Sequence, residues 1–135
     1  MSHHDSSTMK AIALGSFFVL FAIVGGLTMP TAFADHTTAT VSIPEGSGVP
    51  GCEETNACFI PSTVTIDEGG EVTWTNDDTA AHTVTSGSPQ KGPNGEFDSG
   101  LLIAGNTFTH KFKSTGAFDY FCMVHPWMVG IVEVK

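Results

Sequence analysis

Short runs of alternating apolar and polar residues, separated by turn-forming residues, constrain the fold of this chain more than any other feature. In residues 71–75, Val72 and Trp74 fall on the same side of the alternation. Residues 107–112 alternate in the same way, with Phe108 and His110 on one side. A period of two residues indicates β-strands, because successive side chains of a strand point to opposite faces of the sheet. We therefore expect strands and find no convincing helical pattern.

The alternating runs and turn signals predict about seven or eight short strands. The predicted strand segments are residues 41–43, 59–60 with 64–66, 71–75, 107–112, 117–122 and 129–134, and a further strand begins at residues 83–85. Residues 86–100 are rich in Gly and Pro and are predicted to be irregular, with Phe97 fixed to the core. Many short strands joined by turns favour an all-β fold, a sandwich of two sheets.

The N-terminal segment has the features of an export signal. Residues 11–29 contain no charged residue, Lys10 precedes them, and Ala32-Phe33-Ala34 matches a small-residue cleavage site. We expect residues 1–34 to be a signal peptide and residues 35–135 to be one exported domain in an extracytoplasmic (periplasmic or pseudoperiplasmic) space. The alternative is a retained membrane anchor, because an apolar segment of this length could span a bilayer. We expect the protein to interact with a membrane only if this N-terminal segment is retained.

The charge balance excludes one class of partner. The chain carries a formal net charge of −9 and has no arginine. Nucleic-acid binding needs a basic surface that neutralises phosphates, so we expect none. An acidic surface could steer the protein towards a redox partner with a basic docking surface, or it could serve solubility alone.

The three cysteines divide into a pair and a single thiol. Cys52 and Cys58 enclose five residues, and in an exported protein we expect them to form a disulfide. Two reduced thiols or a second metal site are the alternatives. Cys122 is left without a partner and needs another explanation.

Cys122 lies in a loop that also supplies an imidazole and a thioether. The spacing is Cys-x2-His-x2-Met, with His125 and Met128 as the other two residues. A trigonal copper site uses two His and one Cys, with a weak axial Met. His82, which follows the turn at residues 76–78, is the best candidate for the second His. We therefore predict one copper ion bound by His82, Cys122, His125 and Met128. His110, which alternates with phenylalanines, is expected to be structural.

Residues 116–130 carry a close resemblance to a known family. This stretch, with the ligand loop and the preceding strand, resembles the cupredoxins of the plastocyanin, amicyanin and halocyanin group. The short spacing before Met128 is similar to that of amicyanin, and the segment from His82 resembles the upstream ligand segment. The resemblance implies a Greek-key β-sandwich, a single type 1 copper, and single-electron transfer between redox partner proteins.

The chain departs from the family pattern at three positions. Thr83 stands where the family often has an Asn that braces the ligand loop. Phe121 stands where plastocyanin has a Tyr on an electron route. The short loop places the bulky Trp127 beside Met128, and with Pro126 it surrounds His125 with apolar atoms suited to docking of a partner.

Two other functions remain open from the sequence. An open axial position on copper would suit an enzyme that acts on nitric oxide, nitrite or a reactive oxygen species. Copper storage or delivery is a further alternative, although a rigid Cys-His-His site disfavours ready exchange. The sequence offers no Ser-His-Asp arrangement and no phosphate loop, so hydrolytic and phosphoryl-transfer chemistry is unsupported.

Overall fold

A computed structural model describes residues 37–135, which form eight β-strands and one short 3₁₀ helix. The strands are β1 (Thr38–Ile43), β2 (Thr63–Ile66), β3 (Glu71–Asn76), β4 (Thr85–Ser88), β5 (Gly92–Asp98), β6 (Thr107–Lys111), β7 (Gly116–Phe121) and β8 (Val129–Val134), and the 3₁₀ helix is Cys52–Thr55. In this part of the chain, no helix is long and apolar enough to cross a membrane. The predicted signal peptide, residues 1–34, lies outside the described residues.

The strands form two sheets, which confirms the all-β prediction. One sheet has three strands in the order β1-β3-β6, and the other has five in the order β2-β8-β7-β4-β5. The pairs β1–β3 and β2–β8 are parallel, and the other pairs are antiparallel. Because β7 and β8 are antiparallel neighbours, the loop between them lies at one end of the sandwich. That loop contains three of the four predicted copper ligands.

Aromatic side chains fill the space between the sheets. Trp74 is fully buried, and its ring centroid lies 5.3 Å from that of Tyr120, 5.8 Å from Phe108 and 5.9 Å from Phe97. In β3, every second side chain faces inward, as the alternation of the sequence predicts. Large apolar side chains removed from water each contribute about 1.5–3 kcal/mol to folding. The predicted core position of Phe97 is thus confirmed, and Trp74 lies in the same core.

The prediction that residues 86–100 are irregular was wrong. This stretch contains the end of β4 and all of β5, which pair as an antiparallel hairpin with a register shift between Thr85 and Gly87. Gly87 has a φ of 123° and lies so close to the backbone at Gly92 that a Cβ would overlap it. The glycines therefore permit a bulged, tightly paired hairpin that residues with side chains would resist.

Two predicted strand boundaries also differ. Phe59 is buried in the core, but Ile60 forms only an isolated bridge with Ser42, and β2 begins at Thr63. Pro61 separates the two segments, and a proline has no N–H to offer a sheet. The strand predicted from Thr83 begins at residue 85 instead.

Candidate metal centre

Two separate segments bring three metal-binding atoms together. The Sγ atom of Cys122 lies 3.7 Å from the Nδ1 atom of His82 and 3.7 Å from the Nδ1 atom of His125. The two Nδ1 atoms are 3.0 Å apart. A point equidistant from three atoms so arranged lies about 2.0 Å from each, close to usual metal–imidazole and metal–thiolate bond lengths. The donor set and its spacing therefore fit a single copper ion.

Strand pairing closes the loop that supplies Cys122, His125 and Met128. Beyond the last β7–β8 pair, the N–H of Cys122 donates to the carbonyl of Met128 at 3.1 Å. The N–H of Met128 in turn donates to the carbonyl of His125 at 2.9 Å. Cys122 and Met128 are fully buried, whereas Met123, which points away from the core, is 49% exposed. The loop thus directs one thioether inward and the other to solvent.

His82 reaches the same point from a segment that precedes β4. It exchanges two backbone hydrogen bonds with Leu102, of 3.0 Å and 2.7 Å, and its side chain is fully buried. His125 is half-buried. His82 is therefore the interior histidine of the site, and His125 lies nearer the surface.

Thr83 braces the site in the position where the family often has Asn. Its backbone N–H donates to the sulfur of Cys122 at 3.3 Å. Its hydroxyl accepts the N–H of Met123 at 2.8 Å and lies 2.9 Å from the hydroxyl of Thr85. Since Thr85 donates its own proton to Asp98, the Thr83 hydroxyl is the donor to Thr85. One side chain therefore joins the His82 segment, the ligand loop and β4.

Asp78 and Asn76 are site residues that sequence reasoning missed. The Oδ2 atom of Asp78 lies 2.7 Å from the Nε2 atom of His82, and both side chains are buried. Asn76 is fully buried and shapes the turn: its amide donates to the carbonyls of Ala80 and Leu102, and its oxygen accepts the N–H of Asp78. The sequence signal that could have revealed Asp78 is its position, four residues before the candidate ligand His82.

The pKa of Asp78 is lowered from its usual value, which favours the anionic carboxylate. Burial alone raises the pKa, but hydrogen bonds from His82 and from the backbone N–H groups of Gly46, Thr79 and Gly48 outweigh it and lower the pKa to about 2. The pKa of His125 is lowered chiefly by burial and also by His82, with Asp78 opposing. A lowered pKa favours the neutral imidazole, which is the form that binds metals.

The predicted docking residues lie beside His125. Pro126 is exposed, and Trp127 is half-buried with its indole N–H donating to the carbonyl of Ser47 at 3.0 Å. That bond anchors Trp127 to the loop that follows β1. Pro126 and its neighbours therefore contribute more to the exposed surface of the ligand loop than the indole of Trp127 does.

The other cysteines and His110 lie apart from these ligands. The sulfur atoms of Cys52 and Cys58 are at bonding distance from each other. His110 packs its ring against Phe97 and Phe112, with ring centroids 4.9 Å and 4.8 Å away. Among the described residues, His82, Cys122 and His125 form the histidine-containing cluster that could hold a metal ion.

Comparison with known proteins identifies the family. The model of copper binding proteins of the plastocyanin/azurin family matches residues 48–135. This chain belongs to that family. The chain is 31% identical over 129 residues to amicyanin-alpha of Methylorubrum extorquens, covering 94% of this chain and all of the relative. It is 30% identical over 107 residues to amicyanin of Paracoccus versutus, covering 78% of this chain and 77% of the relative.

A solved cupredoxin shares the fold. A purple cupredoxin from Nitrosopumilus maritimus superposes with a TM-score of 0.66 at 34% identity, covering 72% of this chain and 99% of that one. The protein is thus a cupredoxin with copper as its cofactor, and His82, Cys122, His125 and Met128 form a type 1 copper-like site.

Proposed function

We propose that this cupredoxin is an extracytoplasmic electron carrier that shuttles single electrons between protein partners. His82, Cys122, His125 and Met128 would hold the copper. The bound copper would supply the one-electron change between Cu(II) and Cu(I). The observation that carries the proposal is the preformed triangle of two Nδ1 atoms and one Sγ atom.

The rigidity of this triangle suits electron transfer. Three of the four ligands are held by contacts other than the metal: His82 by its bonds to Leu102, Cys122 by the N–H of Thr83, and Met128 by the turn of the loop. Ligands fixed in advance move little when the oxidation state changes. A small rearrangement lowers the barrier to electron exchange, whereas copper delivery would need ligands that release the metal easily.

The surface near His125 offers a place for a partner. Exposed apolar side chains lie in the ligand loop and beside Leu102, which pairs with His82: Met123 is 49% exposed, Val124 51%, Leu101 62% and Ile103 58%. We propose that this apolar surface docks redox proteins briefly and that the electron leaves through the imidazole edge of His125. The net charge of −9 favours partners with a basic surface.

Export and the cysteine pair belong to the same proposal. The signal-like segment of residues 1–34 supports an extracytoplasmic location, either released after cleavage or anchored if the segment is retained. A disulfide between Cys52 and Cys58 agrees with the bonding distance of their sulfur atoms and with an oxidising compartment.

The burial of Met128 favours the carrier over the enzyme. A substrate such as nitric oxide would need an open coordination position on the metal, and Met128, the fourth proposed ligand, is fully buried. An added azide that leaves the visible spectrum unchanged would support a closed position. Azide binding to the copper would instead support the enzyme.

The direct test is a titration of the mature protein with Cu(II), followed by visible absorption and electron paramagnetic resonance. One equivalent of copper is expected to produce an intense thiolate-to-copper band. The variant Cys122→Ser should lose that band while it keeps its fold. Absence of the band in the wild-type protein would overturn the proposed function.

A further inference from the structure

The turn of the ligand loop places Trp127 between two of the proposed copper ligands. The N–H of Met128 donates to the carbonyl of His125 at 2.9 Å, so Pro126 and Trp127 are the two central residues of a tight turn. The ring centroid of Trp127 lies 5.2 Å from that of His125. Movement of the indole would therefore disturb both the His125 ring and the turn that leads to Met128.

A loop that is distant in the sequence holds the indole in place. Residues 44–58, here called the cross-linked loop, follow β1 and contain Cys52 and Cys58. The indole N–H of Trp127 donates to the backbone carbonyl of Ser47 in this loop at 3.0 Å, although the two residues are 80 positions apart. This hydrogen bond joins the ligand loop to a segment that supplies none of the proposed copper ligands.

Ser47 is itself fixed by its neighbours. It is buried, and its hydroxyl lies 2.8 Å from the carbonyl oxygen of Pro44 and 3.0 Å from that of Cys58. The Sγ atom of Cys52 lies 3.9 Å from the carbonyl oxygen of Ser47, which is the acceptor of the indole bond. A cross-link between Cys52 and Cys58 would therefore join two residues that both contact Ser47.

The cross-linked loop also lies directly against His125. A Cβ atom built on Gly48 would be 3.7 Å from the Nε2 atom of His125 and 3.0 Å from the Cβ of Ala80. Nε2 is the nitrogen of His125 that is not one of the three clustered metal-binding atoms. The backbone at Gly48 thus packs beside the ring of this ligand, and displacement of the loop would open space there.

We propose that Trp127 is a positioning residue of the copper site. Its bond to Ser47 fastens the ligand loop to the cross-linked loop, the Cys52–Cys58 cross-link holds the acceptor of that bond, and the fastened loop releases copper more slowly. His125 is the less buried of the two clustered histidines, so movement of its part of the loop is the easier way to open the site. The inference rests on the proposed copper function for its purpose, but the hydrogen bond belongs to the metal-free protein and can be measured separately.

The first experiment measures hydrogen exchange of the indole N–H groups in the metal-free protein by NMR. The chain has two tryptophans, Trp74 and Trp127, so the two signals can be assigned. The Trp127 indole of the wild type should exchange at least about tenfold more slowly than that of a free tryptophan peptide, because a hydrogen-bonded N–H must open before it exchanges. Exchange as fast as in the peptide would overturn the proposal.

The same measurement tests the cross-link. In the double variant Cys52→Ala/Cys58→Ala, the protection of the Trp127 indole should fall by about fivefold or more, because its acceptor is no longer held. The indole of Trp74, which is fully buried in the core, should stay protected and reports that the variant is folded. Unchanged protection of Trp127 in the double variant would also overturn the proposal.

The second experiment compares two Trp→Phe substitutions in the copper-loaded protein. Trp127→Phe keeps an aromatic ring and removes the N–H that bonds to Ser47. Trp74→Phe is the matched control, because it removes a buried indole N–H that has no hydrogen-bond partner among the described residues. Copper release to an excess of chelator is followed by loss of the thiolate-to-copper band. It should be about fivefold faster for Trp127→Phe, the factor expected for one lost hydrogen bond, and close to the wild-type rate for Trp74→Phe.

The outcomes separate this inference from the proposed function. Equal release rates in the two Trp→Phe variants, with a normal thiolate-to-copper band, would overturn the role of Trp127 and leave the copper function intact. Absence of the band in the wild-type protein would overturn the copper function, and the indole exchange would still report on the bond between Trp127 and Ser47. If Trp74→Phe does not fold, the exchange measurement decides the proposal.

Discussion

The substitution Thr83→Val tests whether the threonine hydroxyl braces the ligand loop. Valine has nearly the same shape, so the core contacts remain and the backbone bond from residue 83 to Cys122 is retained. The variant loses the acceptor for the N–H of Met123 and the donor to Thr85. A partly buried N–H left without an acceptor costs about 1–2 kcal/mol. For a domain of this size, that loss lowers the Tm by about 5–15 °C.

The assay is thermal unfolding of the metal-free protein, followed by circular dichroism, because bound copper would add stability by mass action. Thr83→Ser keeps the hydroxyl and should retain most of the Tm. Thr109→Val removes an exposed threonine–threonine hydrogen bond and serves as the matched control, with a small effect expected. A Tm of Thr83→Val within about 2 °C of the control would refute the reasoning.

Three further predictions concern other parts of the molecule. Met128→Leu should raise the reduction potential of the copper and change the balance of the visible bands, because the thioether ligand is lost. Met123→Leu, at an exposed position, should change neither. Equal spectra for the two variants would exclude Met128 as a ligand. Replacing Cys52 and Cys58 together by Ala should lower the free energy of unfolding by about 2 kcal/mol, since the closed loop is short; unchanged urea unfolding would argue against a disulfide. The pKa of His110 is lowered in the folded protein, chiefly by burial. The stability that the neutral His110 side chain contributes is therefore complete above about pH 6.5, the pKa of a free histidine, and is lost as the pH falls through the pKa of His110 in the folded protein. In metal-free protein, His110→Gln should therefore lose less stability than wild type between pH 7.5 and pH 5, and an identical loss would contradict the shift.

The strands that alternate cleanly were predictable because burial of one sheet face leaves a two-residue period in the sequence. β3 and β6 are clear examples, and Trp74 lies in the core as expected. The hairpin of β4 and β5 was not predictable in this way. Its glycines give no apolar alternation, and its pairing depends on positive φ angles and on the neighbouring strand β7.

The ligand set was available from the sequence because its chemistry is concentrated in one loop. The spacing of Cys122, His125 and Met128 limits the metal to one that accepts a thiolate, an imidazole and a thioether. Sequence reasoning also singled out His82, since a second histidine had to come from a turn at the start of another strand. These residue types are required by the metal itself, and so they remain visible without any knowledge of the packing.

The groups that hold those ligands became apparent only in the tertiary structure. Asp78 looks like an ordinary turn residue until the fold places its carboxylate 2.7 Å from His82. The backbone N–H groups of Gly46 and Gly48, some 30 residues earlier in the chain, donate to the same carboxylate. Thr83 likewise acquires its role from a backbone N–H that lies 40 residues distant. Donor atoms that bind a metal must be particular residue types, which a sequence records. Hydrogen bonds that orient them can come from any backbone group, so only the folded arrangement determines which ones do.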